Sequence, residues 1–215
     1  MTPMKEDYIK IIFELGGTER KISNKEIALG LDVAAGSVTE MITKLVEEKL
    51  VIHEPYAGIT LTQLGHQLAI ELVRKHRLWE TFLVDDLKYE VADVHSEAEV
   101  LEHQTSDKLA DALYDFLGKP KFCPHGGVIP DENGDYPESS NIVLADIEDG
   151  QEITITRIID NHDLLTYLHN LGVSANTKVI VLRHEPFEGP VIVKRLADET
   201  EISISFKAAH NIFVQ

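Results

Sequence analysis

SNKEIALGLDVAAGSVTEMITKLVEEKLVIHEPYAGITLT, residues 23–62, decides the fold of the amino-terminal part of the chain. Ser23 or Asn24 can cap a short helix, KEIALGL, and a tight turn from Asp32 to Gly36 leads into a second, SVTEMITKLVEEK. Ile27, Ala28, Val33, Val38, Ile42 and Leu45 have the spacing that closes two such helices into a helix-turn-helix. Ser37, Thr39, Glu40, Thr43 and Lys44 are left facing outward, where they can meet the phosphates or base edges of double-stranded DNA. LVIHEPYAGITLT then alternates apolar and polar residues about a Tyr56-Ala57-Gly58 tip, which reads as a β-hairpin. Hairpin after helix-turn-helix predicts a winged helix.

Upstream, Tyr8, Ile11, Ile12 and Leu15 recur at helical spacing and stop at Gly16-Gly17. Downstream, residues 63–88 and 91–117 predict two long helices, the first carrying Leu64, Leu68, Leu72, Leu78, Phe82 and Leu83. The second carries Val94, Val100, Leu101, Leu109, Leu113 and Phe116. That is more apolar surface than one small winged domain covers, and a two-fold homodimer is the usual way to bury it. Residues 118–141 are rich in Pro, Gly and polar side chains and read as a linker. Beyond them QEITITRIID, KVIVLR, PVIVKR and EISISF are strand-like, with a short helix at DLLTYLHNL, which implies a small barrel of about 70 residues. The chain therefore reads as mainly α with small β: a winged helix over 1–62, a helical domain over 63–140 and an SH3-like barrel over 141–215.

Composition bounds the function. With 215 residues and 43% hydrophobic content the chain can bury proper cores, and no apolar run is long enough to span a membrane. Its start, MTPMKEDYIK, lacks the apolar core of a signal peptide, so a cytoplasmic location is expected. The net charge of −17 opposes nucleic-acid binding, but it is unevenly spread. Residues 1–62 hold 7 basic and 10 acidic side chains, and the remainder 13 and 27. The single cysteine excludes an intramolecular disulfide and leaves Cys123 as a thiolate ligand or a buried thiol.

The chemistry concentrates between His76 and His125. HSEAEVLEH stacks His95, Glu99, Glu102 and His103 on one helical face at spacings of three and four residues, with no Lys or Arg among them. KHRLWE places His76 and Glu80 four apart, and CPHGG places Cys123 and His125 two apart. Imidazole with carboxylate suits divalent Mn, Fe or Zn, and a thiolate adds affinity for Zn. Four of the ten histidines and the only cysteine fall in this stretch of fifty residues, which is the clustering of a metal centre rather than of scattered surface groups.

Taken together, MTPMKEDY, the VTEM of the second helix, RKHRLWETFLV, HSEAEVLEH and CPHGGVIP resemble the diphtheria-toxin-repressor family of metal-dependent repressors, in its manganese-responsive three-domain branch of streptococcal type. The resemblance covers the whole chain and is strongest before residue 130. It implies one metal site at Glu80, Cys123, His125 and Asp160, and a second at Asp7, Glu99, Glu102 and His103, about two Mn2+ per subunit with Fe2+ and Zn2+ as alternatives. His76 could complete either site, and His95 matches an ancillary ligand of iron-responsive members. It further implies a homodimer on an inverted-repeat operator, repressing metal-uptake genes, with no enzymatic activity.

Two positions depart from the family pattern. Lys10 stands where the short two-domain manganese repressors have a carboxylate ligand, which argues against a closely paired two-metal site. Gly36 stands where many relatives have Pro or Ser, leaving the start of the recognition helix more flexible. Without metal, Asp7, Glu99 and Glu102 are expected to repel one another and loosen the domains. The barrel is expected to act as an arm that donates Asp160 rather than as a receptor for Pro-rich peptides. A metalloenzyme would use the same carboxylates, but the chain has neither an H-E-x-x-H helix nor the paired E-x-x-H repeats of di-iron bundles. A metal-buffering protein would leave residues 20–62 without a role.

Overall fold

Helices α1 (Pro3–Glu14), α2 (Asn24–Gly30) and α3 (Ala35–Glu47) are followed by a hairpin of β1 (Val51–Glu54) and β2 (Gly58–Leu61). The computed structural model describes residues 1–91, 93–131, 134, 142–159 and 161–215. These form two compact units: residues 1–79, 98–119 and those described from 129 to 134 make one, and residues 80–97, 120–128 and those described from 142 onward make the other.

The first unit begins with a locally determined helix pair. Ser23 caps α2 through a reciprocal box: its Oγ accepts from the Glu26 amide at 3.2 Å, and its own amide donates to Glu26 Oε2 at 2.8 Å. Along α3 the buried positions are Val38, Met41, Ile42 and Leu45, one helical stripe that packs on Ile9, Ile12, Ile27 and Ile59. Val33, expected in this core, is instead 37% exposed. Asp32 adopts a left-handed φ of 52° and carries the next side chain outward, while Leu31 packs against the core in its stead. The hairpin pairs Val51 with Leu61 through Glu54 with Gly58, and Tyr56 stands fully exposed at its tip.

Gly36 lies in the first turn of α3, which has no side-chain cap, and a Cβ added there would meet nothing within 4 Å. Gly36→Ala is therefore expected to stabilise the protein by about 0.5–1 kcal/mol, the usual difference between the two residues in a helix. Urea unfolding of the two proteins side by side measures it.

The two long helices expected after the hairpin become three. α4 runs from Gln63 to Asp85, α5 from Val94 to Glu102 and α6 from Asp107 to Phe116. The break between α5 and α6 has a polar cause. Thr105 Oγ1 donates to the Leu101 carbonyl at 2.7 Å and accepts from Trp79 Nε1 at 2.7 Å, and Ser106 then caps α6 by accepting from the Leu109 amide. Leu72, Leu78, Leu83, Val94 and Leu113 are buried, whereas Val100, Leu109 and Phe116 are 67%, 46% and 66% exposed.

The second unit holds a five-stranded antiparallel sheet in the order β6-β5-β4-β3-β7, built from β3 (Glu152–Ile158), β4 (Lys178–His184), β5 (Val191–Arg195), β6 (Glu201–Ile204) and β7 (Ile212–Val214). α7 (His162–Asn170) connects β3 to β4 and buries Leu165 and Leu168 against the sheet. α8 (Phe206–Ala209) and β7 were not expected from the sequence, because elements of four and three residues show too little periodicity. Residues 120–128, expected as part of a linker, form a closed turn. Phe122 bridges Val128, Cys123 N donates to the Gly127 carbonyl at 2.8 Å, and Gly126 N donates back to the Cys123 carbonyl at 2.9 Å.

Candidate metal centres

That turn carries two candidate ligands of the first cluster. Glu80, from the last turns of α4, meets Cys123 and His125, with one ligand atom of each lying within 4.8 Å of the others and all three side chains buried. Metal–ligand bonds of about 2.0–2.3 Å keep ligand atoms roughly 3–4.5 Å apart, so the spacing fits a single ion. The hydrogen bonding supplies a chemical test of that fit. His125 Nε2 lies 3.0 Å from the Val91 carbonyl, which only accepts, so this nitrogen bears the proton. Its other nitrogen, Nδ1, then turns a lone pair toward Glu80 Oε1 at 2.8 Å, a contact that closes only with a second proton or a metal ion between the two atoms. A ligand histidine donating its far N–H to a backbone carbonyl is the arrangement that fixes an imidazole for metal binding.

Gly126 holds this turn against the sheet. Its φ is +82°, and an added Cβ would lie 2.2 Å from the Ala175 Cβ and 3.0 Å from the Thr156 carbonyl. Gly126→Ala is expected to shift Cys123 and His125 and to weaken metal binding at this cluster about 10–100-fold, as loss of a ligand's supporting contacts does. Calorimetric titration with Mn2+ or Zn2+ reads the change.

The second cluster lies in the other unit. Asp7 of α1 meets Glu102 and His103 at the end of α5, again with one atom of each within 4.8 Å of the others. His103 Nδ1 is 2.6 Å from Glu6 Oε2, which directs the ring proton to that carboxylate. Nε2 then faces Asp7 Oδ1 at 3.0 Å and Glu102 Oε1 at 3.7 Å. The buried Asp7 Oδ1 accepts no hydrogen bond. Three lone-pair-bearing atoms thus converge, which is a cation-binding arrangement. Burial raises the pKa of Asp7, His103 and Lys10 oppose that, and the Glu99 and Glu102 charges add to it. Glu6 is a carboxylate that the sequence reading missed, because its spacing to HSEAEVLEH carries no signal until α1 and α5 are packed together.

The remaining expected ligands are distributed differently. Glu99 does not join Asp7; its Oε1 accepts from Lys10 Nζ at 3.2 Å. His76 turns to Glu102 and Lys10. His95 lies with Glu80, its Nδ1 4.0 Å from Glu80 Oε1. One helical face of HSEAEVLEH therefore serves separate clusters rather than one cation. Asp160 lies outside the described residues. Nor do the carboxylates simply repel one another: Lys10 sits between Glu99 and Glu102, and although burial raises the pKa of Glu102, Lys10 and His76 hold it below the ordinary value. On α3, Ser37, Thr39, Glu40, Thr43 and Lys44 are all exposed, with Lys44 paired to Glu40 at 2.7 Å.

Comparison with known proteins agrees with this layout. Residues 1–59 match the N-terminal DNA-binding domain of the iron dependent repressors, residues 62–131 their metal binding and dimerisation domain, and residues 142–215 the FeoA domain. The iron-dependent repressor IdeR of Mycobacterium tuberculosis is 29% identical, over 98% of this chain and 96% of its own. Among solved structures, the manganese regulator SloR is 39% identical with a TM-score of 0.85, covering 100% of this chain and 99% of that one. ScaR with bound Zn2+ is 40% identical with a TM-score of 0.83, covering 98% of each chain. A winged helix, a helical domain and a carboxy-terminal sheet, matched in that order along nearly the whole chain, place this protein in the iron-dependent repressor family.

Proposed function

We propose that this chain is a cytoplasmic, metal-sensing transcriptional repressor that binds operator DNA as a homodimer when Mn2+ is sufficient. It has no enzymatic role. Its domains run over 1–62, 63–140 and 141–215. The single observation that carries the reading is the convergence of Asp7 of the DNA-binding helices with Glu102 and His103 of the helical domain. An ion there would supply positive charge that holds three lone pairs together across two elements. Asp7 and the end of α5 would then fix the winged helix on the helical domain.

A dimer must present its two α3 helices about 34 Å apart to enter successive major grooves. Fixing α1 on α5 restricts the orientations in which that spacing is lost, and a coupling of about 1–3 kcal/mol makes a useful switch. Val100, Leu109 and Phe116, exposed on α5 and α6, are apolar surface for the dimer contact. Carboxylate and imidazole at Asp7, Glu102 and His103 suit Mn2+ or Fe2+, whereas Cys123 beside Glu80 and His125 also suits Zn2+. No helix among the described residues is long and apolar enough to cross a membrane. The target would be an inverted repeat upstream of metal-uptake genes.

Fluorescence anisotropy with such a duplex tests this. Mn2+ is expected to tighten binding by the parent protein about 5–150-fold, the range of such couplings, and to leave His103→Ala unchanged. Lys44→Ala should weaken DNA binding and lower its salt dependence while metal binding is retained. DNA binding indifferent to Mn2+ in both proteins would defeat the reading.

A further inference from the structure

The five-stranded sheet has β7 at one edge and β6 at the other, and the two are closed by different means. At β7 the backbone covers the edge: Val143 bridges Phe213, and Val214 N donates to the Ile142 carbonyl at 2.9 Å. At β6 a side chain does so. Bonded and non-bonded pairs alternate along an antiparallel ladder, and Arg195 N donates to the Thr200 carbonyl. Ile202 and Ile204, opposite Val193 and Val191, are therefore the positions that bond to β5. Glu201 and Ser203 turn their backbone groups outward, as does the Ser205 amide, and all three residues are exposed. Tyr167 of α7 reaches this row while its ring packs on the core of the same unit. Its hydroxyl donates to the Ser203 carbonyl at 3.2 Å and accepts from the Ser205 amide at 3.0 Å. Any strand added along β6 needs both of those groups.

We propose that Tyr167 guards this edge: its hydroxyl stands in for the next strand and keeps a second copy of the chain from pairing along β6. An open row of backbone donors and acceptors is a template for another chain, and two-fold pairing of β6 with the β6 of a second copy is its simplest product. A dimer formed through the helical domain would offer two such edges. Pairing through a second two-fold axis would then join dimers into open-ended chains, which could not keep two recognition helices free for one operator. Growth beyond a pair of copies depends on the dimer proposed above; the guard itself does not.

The test uses the full chain with a chelator present. Sedimentation velocity over a range of concentrations gives the mass in solution, and the mass of the parent, monomer or dimer, reports on the dimer separately. Tyr167→Phe, which removes only the hydroxyl, is expected to sediment at twice the parent mass or more, rising with concentration. Ser203→Pro added to it removes an outward N–H at a place where an edge strand accepts proline, and is expected to restore the parent mass. A folded Tyr167→Phe protein that keeps the parent mass at every concentration overturns the guard, and so does association that Ser203→Pro leaves unchanged. Hydrogen exchange in the parent keeps the test decisive if Tyr167→Phe does not fold. The Ser205 amide is expected to be protected like the ladder amides of β5, and exchange as fast as that of the outward Glu201 amide overturns the proposal.

Discussion

Glu102→Ala is expected to destabilise the metal-free protein by about 3–5 kcal/mol, the cost of stripping a buried charge of its partner. Glu102 is 1% exposed and accepts from Lys10 through both oxygens and meets His76 Nδ1, so its removal leaves two buried groups short of an acceptor. Lys10 would keep Glu99, whose side chain is 45% exposed and holds the ammonium less firmly. Urea unfolding with a chelator present measures the loss. Lys10→Met/Glu102→Leu, which removes both charges, should recover most of it, since a buried ion pair and an apolar pair of similar volume are often equally stable. The pH dependence has a definite sign. Burial raises the Glu102 pKa, but Lys10 and His76 bring the net value below the ordinary one. Its contribution is therefore full above the unfolded carboxylate pKa and is lost as pH falls through the lower folded value, so Glu102→Ala should unfold less steeply in acid than the parent.

The second large effect is expected at His125. His125→Ala removes the imidazole that spans Glu80 Oε1 and the Val91 carbonyl, and with it one of three buried candidate ligands. Altering a residue that merely supports a ligand costs about 10–100-fold in affinity, and deleting the ligand itself should exceed that range. The consequence appears in stability as well. A site filled at a hundred times its Kd stabilises the folded state by about 2.7 kcal/mol, and the variant should forfeit that share of the metal-induced rise in melting temperature. Thermal melts with and without Zn2+ or Mn2+ would show it. An undiminished rise in His125→Ala would remove this cluster from the metal sites, leaving the Asp7 cluster to be judged separately.

These two clusters differ in how far they could be read beforehand. Glu80, Cys123 and His125 stand out because KHRLWE and CPHGG pair ligand types at short fixed spacings, and the structure brings them together. Glu102 and His103 stand out for the same reason in HSEAEVLEH, but their partners do not. Asp7 is taken from the family resemblance, and Glu6 and the cationic role of Lys10 emerge only when α1 lies against α5. Glu99 shows the limit of helical periodicity: it shares a face with Glu102, yet Lys10 claims it. Periodicity places a side chain on a face without stating what is packed opposite.

The sequence by itself determined the local elements whose signals are complete within a few residues. The Ser23–Glu26 box, the apolar stripe of α3, the hairpin and the four longer strands of the sheet belong to this group. The tertiary structure alone decided the rest. The end of α5 at Thr105 depends on Trp79 from another helix, the outward turn of Val33 on the left-handed Asp32, and β7 on pairing with β3. The buried exchange among Lys10, Glu99, Glu102 and His76 depends on segments up to 92 residues apart in the chain. Long-range charge pairing leaves no periodic trace, because its energy comes from excluding water around groups that only folding brings together.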